Sequence, residues 1–264
     1  MTSYWNAFLL SLQFFSSIPI RKELKMEKDD IRKMIRLFPL LGFVFGLIWL
    51  GVFVVVDAFT PLSSLALAFI IWLLPIMLTG GIHLDGWMDV SDAYFSYQDK
   101  EKRLEIMKDP RVGAFATLSI FVLLSSKFLF IYESLSHEKE IIYFTLLFIP
   151  LISRSFIGVM LINMKTARRE GMAFFFRQHL SERENGWILF FLVIAGVVLL
   201  SVNSIIFTMF SVFILITVIY YWFANKKTIT WFGGMTGDTI GASMEGLECI
   251  LWMTVWLWQY CVMA

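Results

Sequence analysis

The stretch Gly80-Gly81-Ile82-His83-Leu84-Asp85-Gly86-Trp87-Met88-Asp89-Val90-Ser91-Asp92 gathers three carboxylates and an imidazole between two long apolar runs. A helix over Leu84–Ala93 puts Asp85, Asp89 and Asp92 at i, i+4 and i+7, within about 60° of one another around its axis. Three carboxylates on one face repel at neutral pH, so a cation or a set of basic side chains must neutralise them. Hard oxygen donors in that number suit Mg²⁺ or Mn²⁺, ions that commonly bridge to substrate phosphates.

Two further groups carry related chemistry. In Glu105-Ile106-Met107-Lys108-Asp109-Pro110-Arg111-Val112-Gly113, Pro110 disfavours helix at Asp109, so that carboxylate belongs in a turn near the first cluster. In Gly233-Gly234-Met235-Thr236-Gly237-Asp238, the glycines expose backbone N–H groups that can cradle phosphate oxygens, and Asp238 adds a candidate metal ligand at a helix start. Lys127 and Arg154 fall inside apolar runs, where a charge costs about 2.5–3.5 kcal/mol, so both should face a polar interior. Arg154 follows Pro150 by four residues and is expected near the end of its span, with its guanidinium toward a phosphate. Lys127 is expected in an ion pair or snorkelling. Carboxylates for a divalent ion, arginines for phosphates and a glycine-rich loop together suit phosphoryl or nucleotidyl transfer.

The elements that must hold these groups are membrane spans. The chain has 264 residues, 58% hydrophobic and 16% charged, with a mean hydropathy of +0.74. Apolar runs of about 20 residues recur, the length needed to cross a hydrocarbon core of about 30 Å. Spans are expected over residues 36–56, 61–79, 112–132, 141–161 and 240–262, and the long run 187–224 folds as a helical hairpin turning at Ser201-Val202-Asn203-Ser204. The expected fold is all-α: a polytopic membrane bundle of about seven spans, preceded by a short interfacial or re-entrant helix over Tyr4–Ile20 that ends at Pro19. Gly42, Gly46 and Gly51 mark a stripe for close helix packing. Pro75 followed by Gly80 and Gly81 loosens the helix end that delivers the acidic cluster.

A net charge of +1 gives no reason to expect a nucleic-acid partner. Cys249 and Cys261 suggest neither a disulfide framework nor a zinc site, and the first residues lack the features of a removable signal peptide. Lysines and arginines concentrate in the N-terminal flank (Arg21, Lys22, Lys25, Lys28, Arg32, Lys33, Arg36) and in the loops after spans two, four and six. The positive-inside rule then makes the N-terminus and these loops, about 80–111, 163–186 and 225–239, cytoplasmic. They form the active-site face of a single membrane-embedded catalytic domain over residues 1–264.

At these motifs the sequence resembles the cobalamin synthase family of adenosylcobinamide-GDP ribazoletransferases. The resemblance rests on Gly80 to Gly86 with Asp89 and Asp92, on Glu105 to Asp109 with Arg111 and Gly113, and on Gly233 to Ala242. Arg36 to Gly42 and Arg168 to Met172 match more weakly. The resemblance implies a Mg²⁺-dependent enzyme of a prokaryotic plasma (inner) membrane. Its substrates would be adenosylcobinamide-GDP and α-ribazole or its 5′-phosphate, with GMP as leaving group; a homo-oligomer stays open. On that reading Asp85, Asp89 and Asp92 hold Mg²⁺ across the diphosphate, helped by Asp109 or Asp238. His83 or a carboxylate takes the proton of the ribazole 5′-hydroxyl, and Arg111, Arg154 and Arg168 hold phosphates with Gly233, Gly234, Thr236 and Gly237. Trp87, Tyr94 and Trp231 are candidates for docking the corrinoid.

Two positions depart from the family pattern: Tyr94-Phe95 stand where glycine commonly follows Asp92-Ala93, and Ser17 stands where an arginine is frequent. CDP-alcohol phosphotransferases and intramembrane prenyltransferases also hold a diphosphate with spaced aspartates, but they predict other spacing and no Gly-Gly-Met-Thr-Gly-Asp loop. A transporter should show internal repeats and charges at midplane. No repeat is found, and the dense charges collect at one membrane face.

Overall fold

Helix ends fall where a short polar side chain or a glycine can close the backbone. In the computed structural model, which describes residues 3–24, 26–135 and 139–262, α1 is Tyr4–Phe15, capped by the Ser3 hydroxyl on the Trp5 N–H. It stops four residues before Pro19. Its 12 residues are too few to cross a membrane, and Ser17 fastens the following turn to the backbone carbonyls of Met77 and Leu78. Lys25 of the basic flank lies outside the described residues. Helix α2, Lys28–Arg36, opens with a capping box between Glu27 and Asp30 and buries Ile31, Met34 and Ile35.

The bundle then runs through α3 (Phe38–Phe59), α4 (Ser64–Thr79), α5 (Ile82–Phe95), α6 (Lys100–Ile106), α7 (Ala114–Ser134), α8 (Lys139–Asn163), α9 (Gly171–Arg177), α10 (Asn185–Val202), α11 (Ser204–Phe232) and α12 (Gly237–Val262). Among the described residues no strand forms. Six helices, α3, α7, α8, α10, α11 and α12, are long and apolar enough to span, and α4 with α5 makes a seventh candidate bent by 88°. The chain is therefore a multi-pass helical membrane bundle, as its hydropathy predicts. Between α10 and α11 only Asn203 intervenes, its side-chain oxygen accepting from the N–H groups of Ile205 and Ile206.

Helix α8 is the central post. Ile149, Ile152, Phe156 and Met160 are buried along it, and α3 lies against it backbone to backbone. A Cβ on Gly42 would overlap the Pro150 carbonyl, and one on Gly46 would come within 2.4 Å of the Leu147 carbonyl oxygen. Gly51 faces open space, so the close-packing stripe contains two glycines rather than three. At the periphery, α10 and α11 turn Leu189, Val193, Val197, Leu215 and Ile219 outward, as lipid-facing helices do. The expected loop 225–239 is mostly helix: α11 continues for two turns past Ala224 to Phe232. With 29 residues it exceeds the about 20 that cross the bilayer, so its last turns carry Lys226, Lys227 and Trp231 out of the hydrocarbon.

Gly46→Val should cost about 1–3 kcal/mol by overpacking α3 against α8, seen as a lower thermal unfolding midpoint in detergent. Gly51→Val should leave the midpoint unchanged.

Candidate active site

The break between α4 and α5 creates the site. Gly80 and Gly81 both take left-handed backbone conformations, at φ 64° and 76°, which a side chain would strain. Their N–H groups close on the carbonyls of Met77 and Ile76, ending α4, and α5 leaves at 88° to it. Helix α5 then crosses the first turns of α7 and α12. A Cβ on Gly86 would stand 2.7 Å from the Asp238 carbonyl oxygen, and one on Gly241 would stand 3.1 Å from the His83 Cα. These two glycines allow the backbones to touch.

Around this crossing lies a cavity of about 340 Å³, whose wall includes His83, Asp85, Arg168, Thr236, Gly237 and Asp238. Asp85 is exposed on the first turn of α5, and Asp238 enters from the first turn of α12. The charges of Asp85 and Arg168 both bear on Asp238, and those of Asp85, Asp238 and Asp92 bear on Asp89 one turn further along α5. The Nε2 of His83 is buried without a hydrogen-bond partner.

The loop before α12 is built to hold its own backbone. Met235 pairs with the strand-like segment at Thr166: the Met235 N–H donates to the Lys165 carbonyl at 2.7 Å, and the Ala167 N–H to the Met235 carbonyl at 2.9 Å. Gly234 makes this possible, since a Cβ there would lie 2.6 Å from backbone atoms of 165–167. Thr236 and Thr239 cap one another, each N–H donating to the other's hydroxyl. The N–H groups of Gly233, Met235 and Thr236 are therefore spent inside the protein, which corrects the picture of a glycine cradle. Gly233 and Gly234 shape the loop outside the cavity wall. Gly237 and Asp238 open α12, where backbone N–H groups have no carbonyl one turn back.

Arg168 is held by its guanidinium on the Leu104 carbonyl, and Lys108 reaches Glu170 at 2.6 Å. These contacts stitch the segment after α8 to α6. Tyr94 and Trp231 pack at a tilt, their ring centroids 4.3 Å apart, with the Arg103 guanidinium over the tyrosine ring, and with Trp87 they line an apolar groove separate from this cavity.

Other expected site residues lie elsewhere. Both oxygens of Asp92 are engaged, accepting from the N–H groups of Gly113 at 2.6 Å and Ala116 at 2.8 Å, so Asp92 caps α7 from a neighbouring helix. Asp109 and Arg111 form a bidentate pair away from the cavity wall; the guanidinium holds that carboxyl down to about 2. Arg154 is not aimed at a phosphate. It is buried among the spans on Glu248 at 2.7 Å, and Lys127 bonds Glu245 at 2.8 Å and Glu248 at 3.2 Å. A charge placed inside a bundle finds its counter-charge there. Sequence reasoning missed Glu245 and Glu248, near the start of α12, as the partners of Lys127 and Arg154. Their i, i+3 spacing, opposite two in-span cations, was the available signal.

Among the described residues no three His, Cys, Asp or Glu side chains converge to hold a metal ion by themselves. The oxygen donors of Asp85 and Asp238, with Asp89 nearby, nevertheless fit Mg²⁺. That ion commonly takes one or two carboxylates and completes its shell with water and substrate phosphate oxygens.

The cobalamin-5-phosphate synthase (CobS) family model matches residues 7–256. An adenosylcobinamide-GDP ribazoletransferase of Geobacillus sp. (strain WCH70) is 41% identical over 267 residues, covering 100% of both chains. The enzyme of that name from Halalkalibacterium halodurans is 37% identical over 98% of each chain, and that from Clostridium tetani 34% identical over 93% and 94%. No solved structure matches the chain.

Asp92→Ala should destabilise the protein by about 1–3 kcal/mol through loss of charge-assisted bonds to α7, read as a lower thermal midpoint without substrate. Asp85→Asn, which relieves carboxylate repulsion, should leave that midpoint unchanged or raise it.

Proposed function

The chain belongs to the cobalamin-5-phosphate synthase family, and from that premise we propose that it transfers the cobinamide phosphate of adenosylcobinamide-GDP to α-ribazole or its 5′-phosphate, releasing GMP. The observation that carries the reading is one cavity where Asp85, Asp238 and Arg168 meet at the crossing of α5 and α12, in a chain matched by the family over nearly its whole length. A diphosphate is the substrate group that calls for both carboxylates and a guanidinium.

In this reaction a ribose oxygen attacks the phosphorus attached to cobinamide, the bond to the GMP phosphate breaks, and GMP leaves with the bridging oxygen. A 5-phosphate product, which the family description names, already has its 5′ oxygen occupied. The attacking group is then a secondary ribose hydroxyl rather than the 5′-hydroxyl first expected. Its proton passes to a base in the cavity wall, where His83 and the Asp85 carboxylate stand. Arg168 holds a phosphate oxygen, assisted by the Thr236 hydroxyl and the N–H groups of Gly237 and Asp238. Asp85, Asp89 and Asp238 would hold Mg²⁺, which when bound would neutralise the diphosphate and favour departure of GMP. At about 340 Å³ the cavity suits the diphosphate and part of a nucleotide, so the corrinoid rests outside it.

The distribution of lysine and arginine supports an orientation with the N-terminus and the site cytoplasmic, in the plasma membrane of a prokaryote.

The test is purified protein in lipid with adenosylcobinamide-GDP, either ribazole form and Mg²⁺, following GMP and corrinoid product by chromatography. Product formation should stop with EDTA, fall about 10²-fold or more in Asp238→Asn, and, where His83 serves as the base, fall about 10²–10⁴-fold in His83→Ala. No product from folded wild-type protein with either acceptor would overturn the assignment. Full activity in His83→Ala would remove that residue as the base.

A further inference from the structure

Lys127 on α7, Ser153 and Arg154 on α8, and Glu245 and Glu248 on α12 form a closed charge network inside the bundle. Glu248 accepts from Arg154 at 2.7 Å, from Ser153 at 2.8 Å and from Lys127 at 3.2 Å, while Lys127 also reaches Glu245 at 2.8 Å. All five side chains are buried. The two cations and two anions cancel, so the network has no net charge to offer a ligand. Nor does holding the bundle together account for it, because well-packed apolar residues commonly replace buried ion pairs without loss of stability.

What the network supplies is direction. Ion pairs fix both the depth and the rotation of a helix, whereas apolar faces slide over one another at little cost. Glu245 stands seven residues after Asp238, two turns along α12 on the same face and about 10 Å away. Gly241, between them, is where α12 touches the backbone of His83, and Gly86 touches α12 at Asp238. No compliant side chain separates the two helices at these points. The frame closes at the other end of α5, where the Asp92 carboxylate holds the start of α7, the helix that carries Lys127. The charges of Arg154, Glu248 and Lys127 are near enough to act on His83.

We infer that Lys127, Arg154, Glu245 and Glu248 are positioning residues for the phosphoryl-transfer site: they index α12 against α7 and α8, and so set Asp238 against Asp85 and His83. The inference rests on the proposed reaction for its activity readout alone; the geometric part stands without it.

Glu245→Asp shortens one strut by a methylene, and Lys127→Arg lengthens its partner. Three proteins, wild type, Glu245→Asp and the double variant Lys127→Arg/Glu245→Asp, are compared in lipid nanodiscs by thermal midpoint, kcat and KM, and hydrogen exchange by mass spectrometry. Glu245→Asp should keep its midpoint within a few degrees and its KM within about twofold, lose about tenfold in kcat, and exchange faster over 82–92 and 236–244. The double variant should recover most of the kcat and the protection. A purely structural pair would move the midpoint and leave kcat per folded molecule unchanged, which overturns the inference. So does collapse of both variants, or unchanged exchange in Glu245→Asp. Wild-type protein with no transferase activity but the expected exchange pattern would sink the proposed reaction and leave the positioning frame standing.

Discussion

The contact of α5 with α12 is made of backbone on backbone, and the site depends on it. Side chains at a helix crossing act as springs, each able to change rotamer and let the axes shift. At Gly86 and Gly241 there are none, and a methyl group at either would meet main-chain atoms at 2.7 or 3.1 Å. The carboxylates of Asp85 and Asp238 consequently sit on two pieces of main chain that move as one. Phosphoryl transfer gives the protein little covalent chemistry to perform, so its contribution is placement of charge. A rigid crossing with charges at its rim meets that demand.

Charge explains what the crossing is fastened to. Every ionised group in the apolar interior needs a partner, and the bundle uses the pairs to join helices far apart in sequence: Lys127 to Glu245, Arg154 to Glu248. The carboxylates at the cavity are treated differently. Asp85, Asp89 and Asp238 act on one another as like charges, with Arg168 as the cation that bears on Asp238. An interior that satisfies its own charges beside a rim that leaves like charges together is the arrangement expected where a cationic or phosphorylated ligand completes the balance.

Much of this was legible in the chain. Hydropathy placed the spans, because a run of about 20 apolar residues has few other fates; Gly80-Gly81 announced the break, and the spacing of Asp85, Asp89 and Asp92 the shared helix face. Periodicity, however, gives the direction of a side chain and not its partner. Asp92 points as predicted and finds the first turn of α7, whose N–H groups no local pattern could bring into view. An arginine in a span needs an anion, and the anion of Arg154 is not a phosphate but Glu248, 94 residues further along the chain. The glycine-rich loop misled for a related reason. Its glycines read as donors for a ligand, but backbone this bare also packs closely, and Gly234 is used to pass within van der Waals reach of 165–167.

The break between α4 and α5 brings the rigid crossing and the buried charges into one arrangement. A straight continuation of α4 would carry Asp85 and Asp89 about 9 and 15 Å beyond its end at Thr79, away from Asp238 and Arg168. Turning by 88° at two glycines keeps the same residues at the end of the bundle, within reach of water and ions, while the buried pairs below remain in the membrane. The turn also leaves the cavity beside Gly237 and Asp238, so the polarised start of a long helix and the acidic face of a short one meet the same space. Under the proposed reaction this resolves a conflict of scale. The corrinoid is too large for a pocket of about 340 Å³, but only the diphosphate and the attacking hydroxyl need exact placement. A shallow site at the end of a rigid bundle can grip those groups and leave the rest of the substrate in solvent.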